Sequence, residues 1–317
     1  MTVERLAPTP VYRFYRGGAL LGRLRGKGEE DGDFPEDWVG SVTPAYNPGR
    51  DEPGAGLSRL TDGRLLRDAI EADPEGWLGR DHVARYGTTT GLLVKLLDAA
   101  ERLPVHAHPD RAFARAHFDS PFGKTEAWIV LATRERASEV WIGLREPVGR
   151  HEYRSWIENQ EVDRLLASLN RVSVQAGDVV YVPAGVPHAI GAGILIAELQ
   201  EPSDFSFICE WRGFPIEPRD SHRGLGWDRA LDALDLGAHS PILELPDEAR
   251  RFFWANGVEE AAGRFAVLLV LEGEGTIDGE RARRGDAFVH PAAAGEVRTE
   301  GDLRVLSCLG PDPDAAA

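Results

Sequence analysis

Two histidines stand close together in the stretch Leu103-Pro-Val-His-Ala-His-Pro-Asp110, and a glutamate follows in Gly123-Lys-Thr-Glu-Ala-Trp128. Successive side chains of a β-strand point to opposite faces, so His106 and His108 share one face if this stretch is extended. Two imidazoles on the same strand face form half of a metal site. The other half must then come from a different part of the chain.

A third histidine ends a later β-rich segment, Gly177-Asp-Val-Val-Tyr-Val-Pro-Ala-Gly-Val-Pro-His188. Together with His106, His108 and Glu126, it would provide three imidazoles and one carboxylate. That set suits zinc and equally suits other divalent first-row ions. The sequence therefore predicts one metal site without choosing the metal.

Four other polar residues lie near the predicted metal ligands. Lys124 shares a strand face with Glu126 if the strand is regular, so it either acts on a substrate or forms an ion pair with Glu126. Glu198 ends a later apolar strand and is a candidate general acid or base. Asp110 either caps a helix predicted over Asp110–Phe118 or orients a ligand histidine. Glu201 is predicted to be a solvated loop charge.

Short strands separated by glycine and proline recur along the chain, a pattern typical of a β-sandwich or barrel. Gly285-Asp-Ala-Phe-Val-His-Pro-Ala-Ala-Ala-Gly-Glu296 aligns without a gap on the segment that ends at His188. Both segments begin with Gly-Asp and have proline at the seventh position. This repeat predicts two similar β modules. Glu296 replaces His188 in the second module, and His290 is predicted to be structural.

The predicted division places a metal-binding domain at 1–215, a helical connector at 216–240 and a second, metal-free domain at 241–317. Helical spacing within the first domain predicts an inserted helical segment around 149–169. Residues 27–38 form an acidic run that we expect to be an exposed loop, followed by a strand beginning at Trp38. This tryptophan is either a platform for sugar stacking or part of the core.

The charge balance restricts the partners of the protein. The 317 residues include 36 basic and 52 acidic side chains, which gives a net charge of −16. This excess argues against nucleic acid or an anionic membrane surface as the main partner. Cys209 and Cys308 are expected to be free thiols. Residues 1–15 contain no apolar run typical of a signal peptide, and we expect a cytoplasmic protein.

At these residues the chain resembles the type I phosphomannose isomerases, zinc enzymes of the cupin superfamily. The similarity extends over most of the chain, and its motifs are Leu93–Asp110, Gly123–Trp128, Ala176–Ile190 and Ile196–Gln200 with Ser203-Asp204. It implies a mainly β fold of two cupin-type sandwich or jelly-roll modules with helical insertions. It also implies one Zn²⁺ per chain and interconversion of mannose 6-phosphate and fructose 6-phosphate.

The resemblance assigns the family's metal ligands to His106, His108, Glu126 and His188. It assigns the active-site lysine to Lys124 and the acidic residue on the strand after the last histidine to Glu198. The first ligand is usually glutamine in this family, and a histidine stands here. The change from glutamine to histidine keeps the predicted metal site rich in nitrogen ligands.

One departure concerns the family's arginine after Ser-Asp, which acts in catalysis or in phosphate binding. Ile208 stands at that position, within Phe205-Ser-Phe-Ile208. Arg212, four residues later, is a candidate for the same space. The loss of a guanidinium that binds phosphate with two hydrogen bonds is not a conservative change.

Three functions are consistent with these observations. The first is isomerisation of mannose 6-phosphate, with Glu198, Lys124 and Arg212 as candidate catalytic residues. The second is isomerisation or epimerisation of another, unphosphorylated sugar. The third is a non-catalytic cupin that binds a sugar with the help of its metal. Each function predicts a small-molecule sugar or sugar phosphate as the partner and a monomer or homodimer, without nucleic acid or membrane.

Overall fold

The structure is a computed structural model in which residues 1–28, 32–50 and 52–315 are described. Its strands form three antiparallel sheets, two in the N-terminal part and one in the C-terminal part. Within the described residues, no helix is both long and apolar enough to cross a lipid bilayer. Both cysteines are free, as predicted, and both are buried.

Two sheets pack against each other in the N-terminal part and enclose a shared set of buried apolar side chains. The larger sheet, in spatial order, consists of β2 (Pro10–Val11), β3 (Glu36–Val39), β4 (Leu93–Ala99), β11 (Ile194–Gln200), β6 (Glu126–Thr133) and β9 (Val179–Val182). The other sheet consists of β12 (Phe207–Ile208), β5 (His106–Ala107), β10 (His188–Ile190), β7 (Ser138–Leu144) and β8 (Leu169–Val174). The predicted ligands come from both sheets.

The third sheet lies in the C-terminal part of the chain. Its spatial order is β1 (Glu4–Arg5), β16 (Ala287–His290), β14 (Ala266–Ile277), β17 (Thr299–Leu309) and β13 (Trp254–Asn256), with β15 (Glu280–Arg283) paired to β14. Strand β1 therefore connects the N-terminus to the C-terminal sheet. The division at 215 and 240 remains a prediction, and this pairing crosses it.

Helices are short and lie outside the sheets. They are α1 (Leu20–Leu24), α2 (Leu66–Ala72), α3 (Pro74–Leu78), α4 (Arg80–Tyr86), α5 (Arg111–Phe118), α6 (Arg150–Glu158), α7 (Val162–Ser168) and α8 (Trp227–Ala230). Helices α6 and α7 occupy the segment for which an insertion was predicted. In the described part of the chain, short 3-10 helices are formed by Leu231–Ala233, Asp247–Arg251, Val258–Ala261 and Ala292–Ala294.

The structure decides between the alternatives for Asp110 and Trp38. The Asp110 side chain accepts a hydrogen bond from the Phe113 N–H at 2.7 Å, so it caps α5. Trp38 is fully buried, and its ring packs with Val11 and Leu93. It is therefore a core residue, and the stacking alternative is wrong. The acidic run that precedes it includes residues 29–31, which lie outside the described residues.

Candidate metal centre and adjoining cavities

Three buried histidines come together between the two N-terminal sheets. His106 and His188 are register partners on β5 and β10, and His108 follows β5 directly. One ring nitrogen from each lies within 4.8 Å of the others. The His-x-His pattern places both imidazoles on one side, as the period of two predicts. The pairing of β10 with β5 brings the third imidazole, that of His188, next to them.

The hydrogen bonds of these histidines to the backbone use only their outer nitrogens. The Nδ1–H groups of His106, His108 and His188 donate to the carbonyls of Pro104, Phe205 and Val186, each at 2.8 Å. A carbonyl only accepts, so the proton of each neutral ring lies on Nδ1, and Nε2 carries a lone pair. The Nε2 atoms of His106 and His188 nevertheless lie 3.0 Å apart. A bound cation would relieve this contact between two lone pairs, so the donor set fits a metal ion.

Glu126 supplies an anionic group to the same cluster. Its carboxylate oxygens lie 3.3 Å from His108 Nε2 and 3.2 Å from His188 Nε2. Burial alone would raise the pKa of Glu126, but the nearby ammonium of Lys124 outweighs it and lowers the pKa well below its usual value. Burial lowers the pKa of His108 to about 3. Neutral imidazoles and a carboxylate are the forms that bind metals.

Lys124 lies at the edge of this cluster. Its Nζ is 3.1 Å from Glu126, 2.9 Å from His108 Nε2 and 3.8 Å from Glu198. The structure therefore shows the ion pair with Glu126, and it also places the ammonium between the histidine cluster and Glu198. The structure is consistent with both alternatives for this lysine.

Glu198 is part of a buried charge network that the sequence analysis did not predict. It lies opposite Lys95 on neighbouring strands, and Lys95 Nζ is 3.0 Å from its carboxylate. The same ammonium lies 3.8 Å from Glu36. Burial raises the pKa of Glu198, and the charge of Lys95 opposes this effect. A buried carboxyl group with a raised pKa is typical of general acids and bases.

Glu36 and Asp204 extend the network through Arg13. The guanidinium donates to Glu36 at 2.9 Å and to both carboxylate oxygens of Asp204 at 3.0 and 3.1 Å. Burial alone would raise the pKa of Glu36, but Arg13 and Lys95 outweigh it and lower the pKa to about 2. These contacts are between distant parts of the sequence. In the sequence, the only indication of this charge network was Lys95, a lysine within an apolar strand.

A small cavity of about 60 Å³ connects these groups to the candidate metal ligands. Its lining includes His106, Lys124, Lys95, Glu198 and Ile208. A larger cavity of about 410 Å³ adjoins it. The residues that line both cavities are Arg13, Phe14, Asp204, Ser206 and Ile208.

The structure does not bring Arg212 to either cavity. The side-chain oxygen of Gln160 accepts the N–H groups of Trp211 and Arg212, each at 2.7 Å. This fixes the backbone so that the exposed Arg212 guanidinium donates to the Asn159 carbonyl. Ile208 stands where the family has an arginine. The structure therefore does not support the prediction that Arg212 takes the place of that arginine. Arg13, which the sequence analysis did not single out, lies at the junction of the cavities.

The surroundings of Glu201 and His290 can also be compared with the predictions for these two residues. Glu201 is fully buried and accepts hydrogen bonds from the Thr125 N–H and from Arg111, so the prediction of a solvated charge is wrong. His290 is buried and bonded to the Gly295 carbonyl at 3.0 Å, as a structural histidine would be. Among the described residues, His106, His108 and His188 form the one cluster of this kind.

The sequence of this chain is similar to those of known mannose-6-phosphate isomerases. A mannose-6-phosphate isomerase from Streptococcus mutans is 30% identical over 240 residues, which cover 68% of this chain and 73% of that protein. One from Bacillus subtilis is 30% identical over 241 residues, 66% of this chain and 72% of that protein. No protein-family model matches the chain.

The fold comparison covers almost the whole chain. The crystal structure of a mannose 6-phosphate isomerase from Bacillus subtilis superposes with a TM-score of 0.74 and 21% identity, covering 97% of this chain and 99% of that chain. The prediction of a mainly β fold with two cupin-type modules is thereby confirmed.

Proposed function

This chain belongs to the type I mannose-6-phosphate isomerase family, and we propose that it interconverts mannose 6-phosphate and fructose 6-phosphate as a zinc enzyme. The observation that carries the proposal is the convergence of three imidazoles beside a cavity that also contains Lys124 and Glu198. His106, His108, Glu126 and His188 would hold the metal. A bound zinc ion would polarise the sugar oxygens as a Lewis acid.

The protein residues would move the proton between C1 and C2 of the open-chain sugar through an enediol. We assign the base to Glu198, because it lines the cavity and its pKa is raised. The ammonium of Lys124 would donate hydrogen bonds to the negative charge that develops on the sugar oxygens. Lys95 contacts Glu198 and would act as a positioning residue.

A second candidate is isomerisation or epimerisation of an unphosphorylated sugar. Ile208 supports it, because an apolar side chain lines the cavity where the family has a phosphate-binding or catalytic arginine. A third candidate, a sugar-binding protein without catalysis, would use the same metal site and cavity. Mannose 6-phosphate remains the first choice because of the named relatives. A cytoplasmic location and a monomer or homodimer are proposed with it.

A coupled assay over a panel of sugars and sugar phosphates tests the proposal. The metal-loaded protein should convert mannose 6-phosphate, removal of the metal with a chelator should abolish turnover, and zinc should restore it. Turnover of free sugars alone would establish the second candidate. Tight metal binding without turnover of any sugar would establish the third.

A further inference from the structure

The larger cavity beside the metal site contains four arginines: Arg13, Arg50, Arg219 and Arg223. Their charges are balanced to different extents. Arg13 is paired with Glu36 and Asp204, and Arg50 lies against Glu52. Arg219 is exposed, as is the neighbouring Glu217. Asp220 also lines the cavity, so the cavity as a whole is not strongly positive.

Arg223 differs from the other three. It is partly buried, and it forms no ion pair with a carboxylate anywhere in the described part of the chain. Its one hydrogen bond, at 3.3 Å, goes to the Asp204 carbonyl. Burial lowers the pKa of Arg223 from its usual value, although an arginine stays charged. The charge of Asp204 opposes this effect without forming an ion pair, and a bound anion would offset more of the cost of desolvation.

Aromatic rings hold the guanidinium in place. Its central carbon lies 4.3 Å from the ring centre of Tyr46, 5.1 Å from that of Phe205 and 5.6 Å from that of Phe118. The last two rings stack on each other at 4.6 Å. Stacking orients the plane of a guanidinium and leaves its N–H groups available for a phosphate.

The position of Arg223 relative to the metal ligands suits the far end of a sugar phosphate. Phe205 lies between them, because its carbonyl accepts from His108 while its ring contacts Arg223. Ser206 lies 3.3 Å from His108 and lines both cavities, as does Ile208. The two cavities therefore meet along the segment that lacks the family's arginine.

We propose that Arg223 binds the phosphate group of the substrate, in place of the arginine that Ile208 has replaced. The proposal rests on the proposed function for the identity of the sugar. The chemistry it requires is a phosphate monoester dianion bound by a planar guanidinium. The reacting end of the sugar would lie at the metal, Lys124 and Glu198.

The test compares Arg223→Gln with Arg212→Gln, which changes an exposed arginine that lines neither cavity. Arg223→Gln should raise KM for mannose 6-phosphate about 10- to 100-fold, as expected for loss of a charge-assisted hydrogen bond. It should also weaken competitive inhibition by inorganic phosphate to a similar extent. Arg223→Lys should recover part of both effects, and Arg212→Gln should behave as the wild type. Metal content and the thermal midpoint show whether each variant is folded.

Calorimetric titration of the metal-loaded wild type with inorganic phosphate separates this proposal from the proposed function. If the wild type converts only free sugars but binds phosphate, and Arg223→Gln loses that binding, the proposed substrate is wrong and the phosphate site stands. If the wild type converts mannose 6-phosphate while Arg223→Gln keeps its KM and its inhibition by phosphate, the proposed function stands and the site is wrong. Absence of phosphate binding to the wild type would also overturn the site.

Discussion

At the scale of single residues, the contacts of Glu198 determine its role in the site. Glu198 lies 3.0 Å from Lys95 and 3.8 Å from Lys124, so two ammonium groups face one carboxylate in a buried position. Burial raises the pKa of this carboxylate, as required of a group that accepts and returns a proton. Glu198 is the residue on which the proposed proton transfer depends.

Replacement of Glu198 by glutamine should lower kcat by about 10²- to 10⁴-fold, since the amide cannot accept the C2 proton. Exchange of that proton with labelled water should fall in parallel, while metal content stays unchanged. Because the pKa is raised, the wild-type rate should begin to fall on acidification at a higher pH than for an ordinary glutamate. Exchange at the wild-type rate in the variant would exclude Glu198 as the base. Glu158→Gln, on the exposed face of α6, is the matched control.

The histidine cluster was predictable from the sequence, whereas the charge network was not. His106 and His108 are related by the period of a strand, and the turn before His188 contains its own glycine and prolines. Lys95 and Glu198 are 103 positions apart, and their contact depends on the register of β4 and β11. Arg13 and Asp204 are 191 positions apart. Periodicity and local motifs do not encode such pairings.

At the scale of elements, a close crossing of two segments positions Lys124 and Glu126. The Lys124 N–H donates to the Pro109 carbonyl at 2.9 Å, just after the histidine strand. A Cβ atom on Gly123 would lie 2.5 Å from the carbonyl carbon of Asp110 and 2.6 Å from the Pro109 oxygen. Both are backbone atoms that cannot move aside cheaply. The approach of these two segments therefore requires glycine.

Replacement of Gly123 by alanine should push the segment that carries Lys124 and Glu126 away from the histidines. We expect a loss of stability of about 1–3 kcal/mol. We also expect a fall in kcat of roughly 100-fold, because small displacements of catalytic groups are costly. Denaturant unfolding, metal analysis and the coupled assay measure these effects.

Gly149→Ala is the matched control, since a Cβ there meets nothing within 4 Å and its φ is −65°. If Gly123→Ala had the stability and activity of that control, the crossing would not constrain the site. Elements of this kind are poorly visible in a sequence. Strand β5 has only two residues, and the sequence does not distinguish a glycine at a crossing of two segments from a glycine in a turn.

At the scale of the whole molecule, the two ends of the chain share one core. Leu6, Leu21 and Val39 from the N-terminal part belong to the same buried cluster as Val267 and Leu269 from the C-terminal sheet. Strand β1 pairs with β16 in that sheet, with Glu4 opposite Val289 and Arg5 opposite Phe288. The internal repeat predicts two similar β modules, and the boundaries between them remain a prediction. It carried no information about an N-terminal strand that joins the opposite sheet.

We expect the shared core to make the described parts of the chain unfold as one cooperative unit. Leu269→Ala removes a buried side chain in the C-terminal sheet and should destabilise the protein by about 2–5 kcal/mol. Tryptophan fluorescence, circular dichroism and loss of metal should shift together to lower denaturant concentration, although the proposed metal ligands lie in the N-terminal part of the chain. Leu243→Ala, at a leucine that is 53% exposed, should leave all three midpoints unchanged. Retention of metal and activity through a first transition that unfolds the C-terminal sheet would show that the modules are independent.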